Sequence, residues 1–288
     1  MRLAILSGKG GTGKTTIAVA IAELEKVPIR IDADVDASNM YLYYEGEDID
    51  KEYFSGGYIA LVGEELCIKC GKCTRICRFD AIHRGVVDSL KCEGCGACTL
   101  VCINEAISLV EEKTADIYVT KIPDGKIFRA DMEIGGDGSG LLVSRLRKMA
   151  EQYEVESKIT ILDGSPGIGC PVIASITNND RVLIVTEPTK SGLEDFIRVF
   201  QLTQHFDIPA LACINKYDIN KEVSNEIEEY CKEKGIPLVG KIPYDEMVVK
   251  SINHLKPIIH YQNSKANHAI REMWKEIKEN YMNIREEF

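Results

Sequence analysis

Two patterns in this 288-residue chain have residue types and spacing suited to chemistry. Near the N-terminus, Ser7-Gly8-Lys9-Gly10-Gly11-Thr12-Gly13-Lys14-Thr15-Thr16 satisfies G-x-x-x-x-G-K-[ST]. Its glycines let successive backbone N–H groups turn inward around phosphates, and a helix starting directly after the loop adds partial positive charge. Gly8, Gly10, Gly11, Thr12 and Gly13 form the cradle. Lys14 is placed to neutralise β/γ-phosphate charge, and the Thr15 hydroxyl, beside Thr16, is placed to ligate Mg²⁺. The second pattern is made of cysteines. Cys67, Cys70, Cys73 and Cys77 follow C-x2-C-x2-C-x3-C, and Cys92, Cys95, Cys98 and Cys102 repeat that spacing 25 positions later. Each run lets three thiolates wrap one iron–sulfur cube with loop N–H groups facing its sulfurs. Zinc is the competing reading, but zinc ribbons space their C-x2-C pairs farther apart, so clusters are favoured.

These residues need a scaffold. Arg2–Ser7 reads as a buried strand, Lys14–Glu25 as a helix and Ile29–Ile31 as a second strand ending in the acidic run Asp32, Asp34, Asp36. That order predicts a parallel sheet with crossover helices. Between about Gly57 and Val110 cysteines and glycines dominate. Two strand-like runs, Asp116–Thr120 and Lys126–Ala130, then flank Pro123-Asp124-Gly125, a hairpin turn. A helix is expected over Ser139–Tyr153. Alternation resumes with strand Lys158–Leu162, a helix, strand Arg181–Thr186, helix Gly192–His205, strand Ala210–Ile214, helix Glu222–Lys234 and strand Leu238–Ile242. Gly235-Ile236-Pro237 is a helix stop. A last helix puts Ile270, Trp274, Ile277, Tyr281 and Ile284 on one face, which reads as packing on the chain's own domain rather than on a membrane.

Composition narrows the partners. With 45% hydrophobic residues the chain can bury a full core, and its formal charge of −10 disfavours nucleic acid and anionic lipid. The N-terminus enters strand-like sequence at once, and no apolar run approaches the roughly 18 residues that span a bilayer. A cytoplasmic location is therefore expected, where eleven cysteines are not disulfides. Of the three outside the repeat, Cys213 and Cys231 read as structural. Cys170 reads as a buried structural cysteine, an interface thiol or an extra ligand. Charge differs between the two cysteine runs. Lys69, Lys72, Arg75, Arg78 and Arg84 face one Asp80 in the first, while Lys91 faces Asp88, Glu93 and Glu105 in the second. Positive charge favours a reduced cluster, so the first is expected to have the higher potential.

Lys9 makes the phosphate loop resemble the deviant Walker A motif, K-G-G-x-G-K-T-T, of the MinD/ParA family. The resemblance implies that Lys9 reaches a partner's nucleotide across an ATP-dependent dimer. It implies that an aspartate of the Asp32–Asp36 run, Asp34 by the D-x-D pattern, orients the attacking water. Asp163, ending the apolar strand before Gly164-Ser165-Pro166-Gly167, would hold Mg²⁺ through its water shell, and the Gly167 backbone could sense the γ-phosphate. Asn215-Lys216-Tyr217-Asp218 resembles the family's adenine-side segment and also the N-K-x-D by which GTPases read guanine. Lys9 argues for ATP. Pro243, in Ile242-Pro243-Tyr244-Asp245, fits a second base-side loop, and Glu187-Pro188-Thr189 is expected to frame the same pocket. The cysteine runs resemble a bacterial two-cluster ferredoxin, whose fourth cysteine crosses to the other cluster. That resemblance implies one [4Fe-4S] cluster on Cys67, Cys70, Cys73 and Cys102, and another on Cys92, Cys95, Cys98 and Cys77. The proline usual after the fourth cysteine is absent; Arg78 and Ile103 stand there.

The expected fold is α/β, a mostly parallel P-loop sheet with helices on both faces. The ATPase domain spans 1–56 and 111–288, and a small α+β ferredoxin-like domain is inserted at 57–110. The expected function is an Mg²⁺-dependent ATPase coupling dimer closure, with itself or with a related paralog, to electron transfer toward a redox partner. The alternatives are a maturation or carrier ATPase acting on a target metalloprotein, and a redox-sensing spatial regulator of the MinD type.

Overall fold

The computed structural model describes residues 1–153 and 159–282. The elements run, in chain order, β1 Arg2–Ser7, α1 Lys14–Leu24, β2 Ile29–Ala33, β3 Glu47–Val62, α2 Lys72–Ile76, β4 Ile82–His83, β5 Val86–Val87, α3 Ala97–Val101, β6 Ile107–Ile122, β7 Gly125–Met132 and α4 Ser139–Glu151. They continue with β8 Thr160–Pro166, α5 Cys170–Ile176, β9 Arg181–Thr186, α6 Lys190–His205, β10 Ala210–Asn215, α7 Lys221–Lys234, β11 Leu238–Ile242, α8 Glu246–Asn253 and α9 Lys265–Tyr281.

One sheet takes nine strands in the order β11-β10-β9-β1-β8-β2-β7-β6-β3. From β11 to β7 the neighbours pair in parallel; β6 and β3 then join antiparallel. Strands buried on both sides read as continuous apolar runs, as Leu3–Leu6 and Val182–Val185 do. One face packs against α4, α5, α6 and α7, with Leu142, Val172, Phe196 and Ile227 at its centre. The other packs against α1 and α9, through Ile17, Ile21, Ile270 and Trp274. The α/β architecture with a mostly parallel sheet and helices on both faces is therefore as expected from the sequence.

Element ends follow local chemistry. Thr189 accepts from Gly192 N–H, so α6 starts before the expected Gly192. Asn220 caps α7 through Val223 N–H, and Gly235 ends it at φ 68°. Lys158 lies outside the described residues, and β8 runs on to Pro166.

The expected strand Asp116–Thr120 lies within a sixteen-residue β6; that length, and the sixteen-residue β3, were not expected. β3 and β6 pair from Glu47↔Lys121 at the sheet to Val62↔Ile107 at the far end, with register shifts around Asp48–Asp50 and Phe54–Gly57. They form a ribbon that leaves the sheet and carries the cysteine-bearing segment as a head. Positions 57 and 110 fall inside these strands, so the chain has no structural break at either expected boundary. The head's small core joins Cys73, Ile82 and Cys98 to Ala60 and Ile107 of the ribbon. Of the ferredoxin-like fold expected for 57–110, the structure shows two short helices and the two-stranded β4-β5 pair at the end of this ribbon.

The ribbon is rooted by Arg129 of β7. Its guanidinium donates to Asp48 at 2.8 Å, Asp131 at 3.1 Å and Thr120 at 3.2 Å, and lies against the rings of Tyr41 (4.1 Å) and Tyr118 (4.2 Å). Further along, Gly56 N–H donates to Thr114 Oγ1 at 2.9 Å within the ribbon, and the 133–138 loop joins there as Glu133 N–H donates to Thr114 O at 2.9 Å. A Cβ at Gly56 would fall 2.0 Å from Asp137 O, so only glycine permits this approach.

The α9 helix buries Ile270, Met273, Trp274 and Ile277, and Trp274 Nε1 donates to Glu25 Oε1 at 2.8 Å. The apolar face expected for this helix is used on the core; Ile284 lies outside the described residues. Among the described residues no helix is long and apolar enough to cross a membrane. Ile277→Ala is expected to lower the unfolding free energy by about 2–5 kcal/mol, read from the urea midpoint.

Candidate functional site

The phosphate loop sits between β1 and α1 at the carboxyl ends of the parallel strands, where open α/β sheets bind ligands. Gly13 adopts φ 87°, and a Cβ there would lie 2.4 Å from Asn215 Nδ2, so the loop is closed to any side chain at this position. A cleft of about 830 Å³ is lined by Gly10–Thr16, Asp34, Asn39, Leu42 and Tyr43. Leu42 and Tyr43 come from a short 3-10 turn, Met40–Tyr43, that the sequence did not single out.

Lys14 is buried, with Nζ 2.7 Å from Asp163 Oδ1 and 3.8 Å from Asp34 Oδ2. Burial opposes its charge, but Asp163, Asp34 and Asp32 outweigh that and raise its pKa. The three aspartates of the acidic run have separate positions. Asp32 is fully buried and accepts from Ser38 Oγ, Asn39 N–H and Met40 N–H, each at 2.9 Å, so it staples the loop. Burial first, and Asp163 second, push its carboxyl up to about 6. Asp34 lines the cleft; burial, Asp163 and Asp36 raise its pKa against the pull of Lys14. Asp36 is exposed.

Two buried oxygens, Asp163 Oδ2 and Thr12 Oγ1, have no hydrogen-bond partner among the described residues. Bound beside the lysine and the glycine loop, Mg²⁺ with its water shell would satisfy the Asp163 oxygen, and a phosphate oxygen would accept from the Thr12 hydroxyl. Gly167, at φ 99°, donates its N–H to Ser7 O at 3.0 Å, which sensing a γ-phosphate would have to break.

The remaining predicted residues divide into two places. Asn215 Nδ2 donates to Thr12 O at 2.7 Å, and Asn215, Lys216 and Pro243 line a pocket of about 680 Å³ adjoining the cleft. Asp218 is committed elsewhere: its Oδ1 accepts from Tyr244 N–H at 2.7 Å. A guanine would compete with that bond, which favours adenine, and GTP is expected not to displace a fluorescent ATP analogue at equal concentration. Glu187 and Thr189 do not line this pocket. Lys9 Nζ lies 3.2 Å from Thr189 Oγ1 and 3.8 Å from Glu187 Oε2, and Lys216 pairs with the same glutamate.

In the head the eight cysteines sort into two sets. Cys67, Cys70, Cys73 and Cys102 line one cavity of about 370 Å³. Cys77, Cys92, Cys95 and Cys98 line another of about 350 Å³. The N–H groups of Ala106, Ala81 and Ala60 lie 3.3, 3.3 and 3.4 Å from Cys102, Cys77 and Cys92 Sγ. Among the described residues no three His, Cys, Asp or Glu side chains converge on a point that would hold a single ion. The first cavity lies at the ribbon's end, lined by Ile107, which pairs with Val62. The second lies nearer the sheet, lined by the Ala60↔Leu109 pair. Cys213 and Cys231 are buried, their thiols pushed up to about 12 by burial, as structural cysteines are. Cys170 is exposed at the start of α5, which corrects the expectation that it is buried.

Residues 3–258 match the family described as the CobQ/CobB/MinD/ParA nucleotide binding domain. An uncharacterized protein of Methanocaldococcus jannaschii is 34% identical over 97% of both chains. An iron-sulfur cluster carrier protein of Pyrococcus abyssi is 24% identical over 94% of this chain and 83% of its own. The solved structure of the septum site-determining protein MinD of Pyrococcus horikoshii, complexed with Mg-ADP, superposes with a TM-score of 0.59 at 18% identity, covering 96% of this chain and 95% of that one. With a phosphate loop, a buried lysine and paired aspartates at the carboxyl edge of such a sheet, the chain belongs to the CobQ/CobB/MinD/ParA family and is a nucleotide-binding ATPase of the MinD/ParA type.

Proposed function

We propose that this ATPase couples MgATP-driven pairing of two subunits to electron transfer through the head. The observation that carries this is the sorting of eight thiols into two sets of four, on a ribbon rooted beside the nucleotide cleft. Eight soft donors with backbone N–H groups aimed at their sulfurs fit two [4Fe-4S] clusters, held as Cys67, Cys70, Cys73, Cys102 and as Cys92, Cys95, Cys98, Cys77. Bound there, such clusters would supply one-electron redox chemistry.

The chain's own residues supply the rest. Lys14 would turn from Asp163 to the β/γ-phosphates, freeing that carboxylate for the Mg²⁺ shell, with Thr15 as the hydroxyl ligand. Asp34 would hold the attacking water. Lys9 would leave Thr189 and Glu187 to reach the nucleotide of a second copy or a paralog. Tyr43 and Thr16 line the same cleft, and Tyr43's neighbour Tyr41 stacks on Arg129, so a shift of the Asp32–Tyr43 loop would be felt at the ribbon's root. Lys9→Ala is expected to abolish ATP-induced pairing in sedimentation velocity while nucleotide still binds.

The deciding experiment is an EPR redox titration of anaerobically prepared protein with and without MgATP. A shift in potential with MgATP supports coupling; potentials that do not move count against it. A second reading, an iron–sulfur carrier, is favoured by the likeness to the Pyrococcus abyssi carrier protein. It predicts instead that iron leaves the protein for an apo acceptor on ATP turnover.

A further inference from the structure

The mouths of the two thiol cavities differ. The outer one, with Cys67, Cys70, Cys73 and Cys102, is lined also by Lys69 and Lys72 and by no carboxylate. Around it Leu66, Ile68 and Ile103 are 55%, 63% and 68% exposed. The inner cavity has the opposite balance, Glu93 and no cation. Glu64 and Glu65 lie on the turn entering Cys67 but do not line the outer mouth.

The register of the ribbon decides which mouth a partner meets. Ile107 of the outer cavity is in the last pair, whereas Ala60 and Leu109 of the inner one pair closer to the sheet. The inner side also approaches the 133–138 loop: a Cβ on Gly135 would lie 3.8 Å from Leu90 Cδ2. The outer mouth is thus the free end of the molecule. Large apolar side chains exposed together on a water-soluble surface mark an interaction site, and an apolar centre with a charged rim is the pattern of a protein interface.

We propose that the outer mouth is the docking face for a soluble redox protein whose own centre is ringed by acidic side chains. The proposal rests on the cluster reading above. Leu66, Ile68 and Ile103 exclude water at the contact, and Lys69 and Lys72 steer the encounter. At a screening length of about 8 Å the tip acts apart from the chain's net charge of −10. An extended anionic bilayer would meet the acidic body as well, which favours a compact acidic protein over a lipid surface. A cluster held by Cys67, Cys70, Cys73 and Cys102 would supply one electron to the partner's centre, with no bond made or broken. Interfaces of this kind are small and transient.

The test uses the full chain, reconstituted anaerobically and with its iron counted, and an acidic flavodoxin as probe, with cytochrome c as the basic control. Binding is read from NMR shifts of labelled flavodoxin, independently of electron transfer. Between about 0.15 M and 1 M salt, where the screening length falls from about 8 to 3 Å, flavodoxin binding is expected to weaken about tenfold or more. Lys72→Glu and Ile68→Ser are each expected to weaken it at about 0.15 M salt, with shifts on flavodoxin confined to its acidic face. Lys91→Glu, on the second cysteine run, is expected to leave it intact. Binding that ignores salt, or that Lys91→Glu lowers as much as Lys72→Glu, overturns the docking face. If the Lys72 variant loses iron, the salt series on the unaltered chain still decides. Cytochrome c binding as well as flavodoxin overturns it too. Iron short of two clusters in the unaltered chain instead removes the cluster reading beneath it.

Discussion

Lys14→Ala is expected to lower ATP hydrolysis by about 10²-fold or more, the scale on which a single charge-stabilising donor acts in a transition state. The measurement is phosphate release at saturating MgATP. Geometry says why the loss should be large. Lys14 Nζ lies 2.7 Å from Asp163 and 3.8 Å from Asp34, and among the described residues no other cation pairs with either carboxylate. The same substitution should also change stability, because it leaves buried carboxylates facing one another without their counter-charge. The sign with pH follows from Asp32. Its folded-state carboxyl is pushed up to about 6, above the roughly 4 of an unfolded chain. The native state therefore holds the extra proton between those values, and stability falls as pH rises through that window. Removing Lys14 raises the folded pKa further, so the variant's urea midpoint should drop more steeply from pH 5 to pH 7.5 than that of the parent. Unchanged hydrolysis would remove this loop from catalysis.

Serine substitutions in pairs separate crossed ligation from ligation within each run. Fully loaded protein should carry about eight irons. If Cys77 belongs with Cys92, Cys95 and Cys98, then Cys67→Ser with Cys77→Ser strips a ligand from each cavity, and both sites lose iron. Cys67→Ser with Cys73→Ser takes two ligands from one cavity, and about four irons should remain. Ligation within each run predicts about four irons for both pairs. Iron analysis with visible spectra distinguishes these outcomes. The cavity linings favour the crossed result, since Cys77 shares a cavity with Cys92 and Cys102 shares one with Cys67.

What the sequence made legible was whatever local pattern alone enforces. Parallel strands buried on both faces must be apolar throughout, so β1, β9 and β10 announced themselves. The phosphate loop was readable because its glycines answer to backbone geometry, as Gly13 against Asn215 shows. The ribbon was hidden for the converse reason. β3 buries almost nothing, so Glu47-Asp48-Ile49-Asp50-Lys51-Glu52 carries no period-two apolar signal, and only pairing with β6 holds it extended. The choice among Asp32, Asp34 and Asp36 likewise depended on which carboxylate meets the N–H groups of Asn39 and Met40, a contact that exists only once the loop has folded. Arg129 gave no signal either. Its partners Tyr41, Asp48, Tyr118 and Asp131 are scattered along the chain, and tertiary folding alone brings them together.

The ribbon also bears on how such a molecule is put together. Val62 and Ile107 face each other across its last rung, so the chain enters and leaves the head at adjacent points. Residues 63–106 can therefore be replaced by a two-residue Asn-Gly turn, closing β3 and β6 into an ordinary hairpin at little entropic cost. The sheet, the cleft and the α9 contact with Glu25 lie on the other side of that joint. A graft at the same rung would mount a different head on the same engine. Exchangeability of this sort lets one nucleotide-driven scaffold be fitted to new tasks without redesign of its core.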